Sequence, residues 1–258
     1  MKNKTFQFED LKISYYITSK AKKTILLLHG WQSSIKSYPK LIQQLVDKNF
    51  QVIFLEFPSH GSSEKLKKAF DVKDFNKLVL DFISYLKLSY NISLDAIYAH
   101  SNGARVLVDV LPKLASNLDI FIVAGAGVKY RKNIFQKIIF VLSKFKKFIQ
   151  FFPFFKFLRR CILKMISAHD YLKLDSDEAL KETFLNLINY DAEKSLERIF
   201  QPVHLIWGDK DTYTPLYMAH TMDEKIPNSK LVVLKDMTHG IHLKDPNFIA
   251  NYINQHTS

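Results

Sequence analysis

Residues 98–104 read Tyr98-Ala99-His100-Ser101-Asn102-Gly103-Ala104. Ahead of Ser101, residues 95–100 form a mostly apolar run of strand type; behind it, residues 102–114 carry the apolar spacing of a helix. A serine at such a strand-to-helix junction sits on a turn so tight that the residues two before and two after it must be small. Ala99 and Gly103 meet that requirement, in the pattern G-x-S-x-G with Ala in place of the first Gly. The turn presents a hydroxyl as a nucleophile; the competing reading is a serine that serves only as a helix N-cap.

The surroundings repeat the same alternation. Residues 6–8 and 11–17 alternate apolar and polar positions around Glu9-Asp10, which predicts a hairpin at a sheet edge. Residues 24–28 are a solid apolar run, as expected of a strand buried on both faces, and similar runs recur at 51–57, 120–125, 203–207 and 230–234. Helical patterns lie between most of them, at 38–48, 73–90, 102–114, 216–225 and 246–255. Strand and helix in alternation predict an α/β fold with a mostly parallel sheet and helices on both faces. The alternation fails once, between 127 and 201, where the chain is helical, basic and rich in Phe. This divides the chain into a core of 1–127 and 201–258, and a helical cap insertion of 128–200 over the sheet's C-terminal edge, where open α/β sheets bind ligands.

Three further stretches follow strands and carry polar chemistry. His29-Gly30-Trp31 closes the strand at 24–28; it reads either as a plain turn or as a loop lending a backbone N–H to a developing negative charge. Trp207-Gly208-Asp209-Lys210-Asp211-Thr212-Tyr213-Thr214-Pro215 offers two carboxylates in what is otherwise an ordinary polar turn. Met237-Thr238-His239-Gly240-Ile241-His242 follows the last strand and places His239 at the start of the loop. His242 reads as structural, and His169, His204, His220 and His256 as ordinary polar or core positions. No H-x-x-x-H or C-x-x-C spacing and no G-x-x-x-x-G-K-[ST] occurs, so neither a metal, a cofactor nor a P-loop is expected.

Together these motifs resemble the α/β-hydrolase superfamily along nearly the whole chain. Glu56-Phe57-Pro58-Ser59-His60-Gly61-Ser62-Ser63 resembles its D-x-P-G-H-G-x-S loop, with Glu for Asp and Ser59 for Gly. Residues 207–215 resemble W-G-x-x-D-x-x-x-P, which favours Asp211 over Asp209, and residues 239–246 resemble its H-x-x-H-L-E-D-P ending, with Thr238 where a Gly would precede the His. Asp170-Tyr171, Glu182-Thr183-Phe184 and the stretch after Ser101 are similar to a group of small bacterial hydrolases with a basic helical cap. The resemblance implies a triad in the superfamily's order, with Ser101 as nucleophile, His239 as base and Asp211 as its orienting acid. It implies oxyanion N–H groups on Trp31 and Asn102, and a substrate site drawing on His29, Gly30, His100, Phe145, Phe148 and Phe152. A Ser at this position, rather than an Asp, implies acyl transfer to water: hydrolysis of a small carboxylic ester or thioester. The alternatives are a hydrolase fold that only binds a lipid or acyl ligand, and an esterase acting on an acyl group held by an acidic carrier protein.

The chain has 258 residues, 47% of them hydrophobic, enough for one core. The N-terminal ten residues are charged where a secretory signal needs an apolar core. No charge-free apolar run reaches the ~18 residues of a membrane span, and the lone Cys161 has no intramolecular disulfide partner. These features predict a cytoplasmic protein, at most peripheral at the inner face of the membrane. The oligomeric state is not readable.

The formal net charge is +12, and residues 120–169 contain eleven Lys and Arg but no Asp or Glu. On a helix, residues 132–152 segregate Lys132, Lys137, Lys144, Lys146 and Lys147 from Ile134, Ile138, Phe145, Phe148 and Phe152. The plainest reading is a cap helix with its apolar face over an acyl pocket. An anionic membrane surface is the second reading, an acidic carrier protein the third, and nucleic acid is not expected because no reading motif accompanies the charge. Each Lys or Arg near an anionic membrane contributes on the order of 1 kcal/mol. On the membrane reading, the protein should cosediment with phosphatidylglycerol vesicles at low salt, less at high salt, and not with neutral vesicles. Equal behaviour towards both vesicle types at low salt would leave only the plain cap.

Overall fold

Five consecutive runs of apolar residues pair in parallel and are buried on both faces. They are β3 (Lys23–Leu28), β4 (Phe50–Leu55), β5 (Ala96–His100), β6 (Asp119–Val123) and β7 (Val203–Gly208). In this computed structural model residues 1–130 and 177–257 are described. The hairpin β1 (Lys2–Phe8) and β2 (Leu11–Ile17) turns at Glu9-Asp10 as expected, and β8 (Ser229–Leu234) closes the far edge. The eight strands run in the order β1-β2-β4-β3-β5-β6-β7-β8, with β2 antiparallel to both of its neighbours.

Side chains along the central strands alternate between two apolar layers, as the two-residue period requires. Leu26 and Leu28, Ile53 and Leu55, Ile97 and Ala99, Ile120 and Ile122 enter one cluster. Ile25 and Leu27, Val52 and Phe54, Ala96 and Tyr98, Phe121 and Val123 enter the other. The first layer is covered by α2 (Val72–Tyr90), α3 (Asn102–Val108) and, beyond β6, α4 (Glu178–Asn189), α5 (Glu193–Leu196) and α6 (Leu216–Lys225). The second is covered by α1 (Pro39–Asp47) and α8 (Pro246–His256), with the short α7 (Ile241–Lys244) beside them. Between β6 and β7 the described residues 177–200 carry α4 and α5, and Leu187, Leu196 and Ile199 among them are fully buried in the first layer.

One helix is shorter than its pattern. Residues 102–114 read as continuous, but α3 ends at Val108 and the chain resumes as a single tight turn at Leu111–Lys113. Pro112 explains the break: its ring would clash with the Val108 carbonyl and it has no N–H to continue the ladder. By contrast α2 runs its full length because Asp71 accepts the N–H groups of Lys73 and Asp74, and Asn91 takes the left-handed conformation that ends the helix. Among the described residues no helix is long and apolar enough to cross a membrane, and no group of three His, Cys, Asp or Glu is placed to hold a metal ion.

The order of strands reverses between β3 and β5, since β4 returns to one side of β3 and β5 is laid on the other. Ligands of open α/β sheets bind at that crevice, and four imidazoles are buried around it. His29 donates from Nδ1 to the Gly30 carbonyl at 2.7 Å and accepts the Phe57 N–H at Nε2, 3.0 Å away. His60 donates from Nδ1 to the Pro58 carbonyl. His100 lies between Tyr38 and the loop after β8, and His242 stacks on Tyr38 with ring centres 4.4 Å apart. Burial lowers all four pKa values: His29 to about 3, His60 and His242 to about 4, and His100 well below its ordinary value. These rings are therefore neutral in the folded chain, whereas in the unfolded chain they take up protons below about 6.5. Between roughly pH 6.5 and 4 the unfolded state binds more protons, so stability falls as pH falls. The melting temperature should drop steadily from pH 7 to pH 4.5; a flat profile over that range would contradict neutral burial of the four rings.

Candidate active site

The end of β5 turns into α3 through Ser101, whose backbone sits at φ 51° and ψ −115°, a conformation that costs a non-glycine residue on the order of 1–3 kcal/mol. The turn is held by backbone hydrogen bonds. Ser101 N–H donates to the Val123 carbonyl at 3.2 Å, and the Ser101 carbonyl accepts from Ala104 at 3.0 Å and Ala126 at 2.9 Å. Space is as restrictive as the hydrogen bonds. A β-carbon on Gly103 would lie 2.5 Å from the Leu28 carbonyl oxygen, and one on Gly30 would lie 3.1 Å from Ser101 Cβ. Small residues at 30, 99 and 103 let the ends of β3 and β5 close on each other with Ser101 between them.

His239 reaches this turn from the loop after β8. Its Nε2 accepts the Ser101 hydroxyl at 3.0 Å, and its Nδ1 donates to Asp211 Oδ2 at 2.8 Å. The Asp211 side chain is fully buried and the His239 side chain is 18% exposed, so the pair is dry at one end and open at the other. Asp211 Oδ1 accepts the backbone N–H groups of Tyr213 at 2.8 Å and Thr214 at 3.0 Å, which fixes the carboxylate. The Thr214 hydroxyl lies 2.9 Å from Asp211 Oδ2 and 3.1 Å from the Ala124 carbonyl, and can donate to one at a time. With its oxygens so occupied the carboxylate orients Nδ1–H, leaving Nε2 as the acceptor for the serine proton. Asp209 stays on the exposed turn, so of the two carboxylates it is Asp211 that meets the imidazole.

The two loops are tied together below these side chains. Trp207 donates its indole N–H to the Thr214 carbonyl at 2.7 Å, and Lys210 N–H donates to the Met237 carbonyl at 2.9 Å. Gly208 is required at this crossing, because a β-carbon there would sit 2.2 Å from the Met237 carbonyl oxygen. His100 Nε2–H donates to the His239 carbonyl at 3.1 Å, and the Tyr38 hydroxyl donates to His100 Nδ1 at 3.2 Å. The histidine loop is thus gripped by the residue that precedes Ser101.

The resemblance assigned further residues to substrate and oxyanion. Gly30, Trp31, His100, Ser101 and His239 lie together in the wall of a cavity of about 580 Å³. Asn102 opens α3 beside it, 4% exposed, with its side-chain oxygen accepting from Arg105 at 2.9 Å. His29 is fully buried and fastens the Gly30 loop to Phe57. Phe145, Phe148 and Phe152 lie outside the described residues. Glu56, the acid of the loop that resembles D-x-P-G-H-G-x-S, is also buried; it accepts the N–H groups of Ile35 at 3.1 Å and Ser62 at 2.6 Å, bracing the loops after β3 and β4. Thr214 and Tyr38 are the members of this arrangement that motif reading missed: Tyr38 meets His100, 62 positions away, and Thr214, though it lay within a motif three residues after Asp211, also reaches the Ala124 carbonyl 90 positions away.

Comparison with known proteins agrees with this architecture. The profile of a family described as serine aminopeptidase, S33, matches residues 19–247. The uncharacterized hydrolase YugF of Bacillus subtilis (strain 168) is 24% identical over 270 residues, covering 96% of this chain and 95% of the relative. Among solved structures, an esterase (EaEST) from Exiguobacterium antarcticum superimposes with a TM-score of 0.76 at 16% identity over 99% of both chains. A thioesterase domain from the curacin biosynthetic pathway superimposes with a TM-score of 0.70 at 15% identity, over 98% of this chain and 99% of the other. With the profile spanning most of its length, the chain belongs to the serine aminopeptidase S33 family of α/β-hydrolases.

Proposed function

We propose that the protein is a serine hydrolase that cleaves a small carboxylic ester or thioester through an acyl-enzyme on Ser101. The observation that carries this is the relay from Ser101 Oγ through the His239 imidazole to the buried Asp211 carboxylate, at 3.0 and 2.8 Å. In this reading the Ser101 hydroxyl adds to the substrate carbonyl carbon while its proton passes to His239 Nε2. The carbonyl oxygen takes the negative charge and is met by the backbone N–H groups of Trp31 and Asn102. As the carbonyl reforms, the bond to the leaving group breaks, and His239 returns the proton to the departing oxygen or sulfur. A water molecule then repeats the sequence on the acyl-enzyme, with His239 again as base, and releases the acid. Asp211 holds the imidazole in the needed tautomer throughout.

The described wall of the cavity is built from neutral groups, including Trp31, Gln32, Ser33, Thr212 and Thr238, which suits an uncharged acyl compound. Two fold relatives bear the names esterase and thioesterase, in agreement with this chemistry. That 128–200 forms a cap over the cavity is part of this proposal, drawn from the sequence alone. From residue 131 to 169 its basic and Phe-rich stretch lies outside the described residues, and contact with an anionic surface remains our proposal from sequence.

A fluorophosphonate probe should label the wild-type protein and not Ser101→Ala, and a series of esters of increasing chain length should reveal turnover that Ser101→Ala loses by several orders of magnitude. Equal labelling of both proteins would remove Ser101 as nucleophile. Asp211→Asn should fold yet hydrolyse the same ester by about 10⁴-fold more slowly, because the amide no longer holds the required tautomer; Asp209→Asn should retain activity. The reverse pattern would move the acid to Asp209.

A further inference from the structure

The side chain of Tyr213 has no place in the relay, yet it lies against it. Its ring stacks on the His239 imidazole with centres 5.1 Å apart and planes inclined by 30°. It is 56% exposed, so one part of the ring packs on the histidine while the rest stays open. An exposed large aromatic is ordinary taken singly, but this one lines the same cavity as Ser101 and His239. Its backbone is not free to wander, because its N–H donates to Asp211 Oδ1 at 2.8 Å.

The reaction gives the two sides of that cavity different partners. Gly30, Trp31 and Ser33 line it from the loop after β3, the side from which an oxyanion N–H is drawn in that reading; Thr212, Tyr213, Thr238 and Gly240 line it from the loops after β7 and β8, the side that carries Asp211 and His239. A leaving group must lie within reach of His239 Nε2 to receive its proton, so it departs along the second side. The acyl portion stays bonded to Ser101. A ring already inclined over the imidazole can pack against a planar leaving group by offset or edge contact.

Building on the acyl-transfer reading above, we propose that Tyr213 is a specificity-determining residue that selects the leaving group, favouring esters of aromatic or other planar alcohols. This role separates from simple support of His239. The histidine acts in both half-reactions, whereas the leaving group is present only in the first. Support of the imidazole would therefore affect acylation and deacylation alike, while contact with the leaving group affects acylation alone.

The test uses phenyl acetate and methyl acetate, which form the same acetyl-enzyme, with Tyr213→Ala and Tyr213→Phe. Both substitutions keep the backbone N–H that Asp211 accepts. In Tyr213→Ala the ratio of kcat/KM for phenyl acetate to that for methyl acetate should fall about three- to tenfold, the scale of one lost ring contact. The rate constant for deacylation of the shared acetyl-enzyme should match the wild type, and Tyr213→Phe should keep the wild-type ratio. A parallel loss on both esters together with slowed deacylation would reduce Tyr213 to support of His239 and overturn the assignment, as would an unchanged ratio. Fluorophosphonate labelling distinguishes the two levels: wild-type protein that is labelled at Ser101 but has a Tyr213-independent ratio refutes the selectivity alone. Wild-type protein that neither labels nor turns over either ester refutes the catalytic reading and the selectivity with it.

Discussion

The strained turn at Ser101 is the constraint on which the rest of the site depends. A non-glycine residue at φ 51° and ψ −115° is held there only because its surroundings leave no alternative. The Val123 carbonyl takes its N–H, and Ala104 and Ala126 both donate to its carbonyl, so relaxing the turn would break bonds to both β6 and α3. The same turn demands small neighbours. Gly103 lies where a methyl group would strike the Leu28 carbonyl, and Gly30 where one would crowd His100 and Ser101. The strain thus projects a hydroxyl away from the end of β5 and at the same time draws β3, β5 and β6 into the one arrangement that supports it.

Around this turn, polar groups are oriented by burial as much as by bonding. Three of the four buried imidazoles have their tautomers set by backbone partners: His29 between Gly30 and Phe57, His60 by its bond to the Pro58 carbonyl, and His100 by its bond to the His239 carbonyl. Burial keeps them uncharged, so they act as shaped, directional hydrogen-bonding groups rather than as charges that would compete with the Asp211–His239 pair. Glu56 performs a similar office at the next loop by accepting two backbone N–H groups. A glutamate in place of the shorter acid of the resembled motif does so beside Gly61, where a β-carbon would lie only 2.0 Å from its carboxylate. The glycine and the longer acid are a matched pair.

Much of the fold and the candidate site was legible in the chain because the signals are local. Strands buried on both faces must be continuous apolar runs, helices must repeat near 3.6, and a strand-to-helix serine needs small residues two positions away. Those rules placed the hairpin at Glu9-Asp10, the central strands and the turn at Ser101. Family motifs added Asp211 and His239 on the loops after β7 and β8. The local rule also erred locally: the apolar spacing of residues 102–114 outlasted the helix, because Pro112 overrides the period that its neighbours keep.

What the amino-acid sequence determined by itself is therefore the set of parts: apolar runs that must become buried strands, and glycines and alanines wherever backbones must approach. Beside them it supplied a serine, an aspartate and a histidine in the expected order, each at a strand end. What only the tertiary structure decided is how those parts meet. The placement of β4 outside β3 opens the crevice. The relay joins residues 138 and 28 positions apart, His100 grips a carbonyl 139 residues away, and the Tyr213 ring comes to lie on His239. The physical reason is that periodicity and propensity act over a few residues, whereas a hydrogen bond between distant loops exists only once the sheet has brought their strand ends to the same edge.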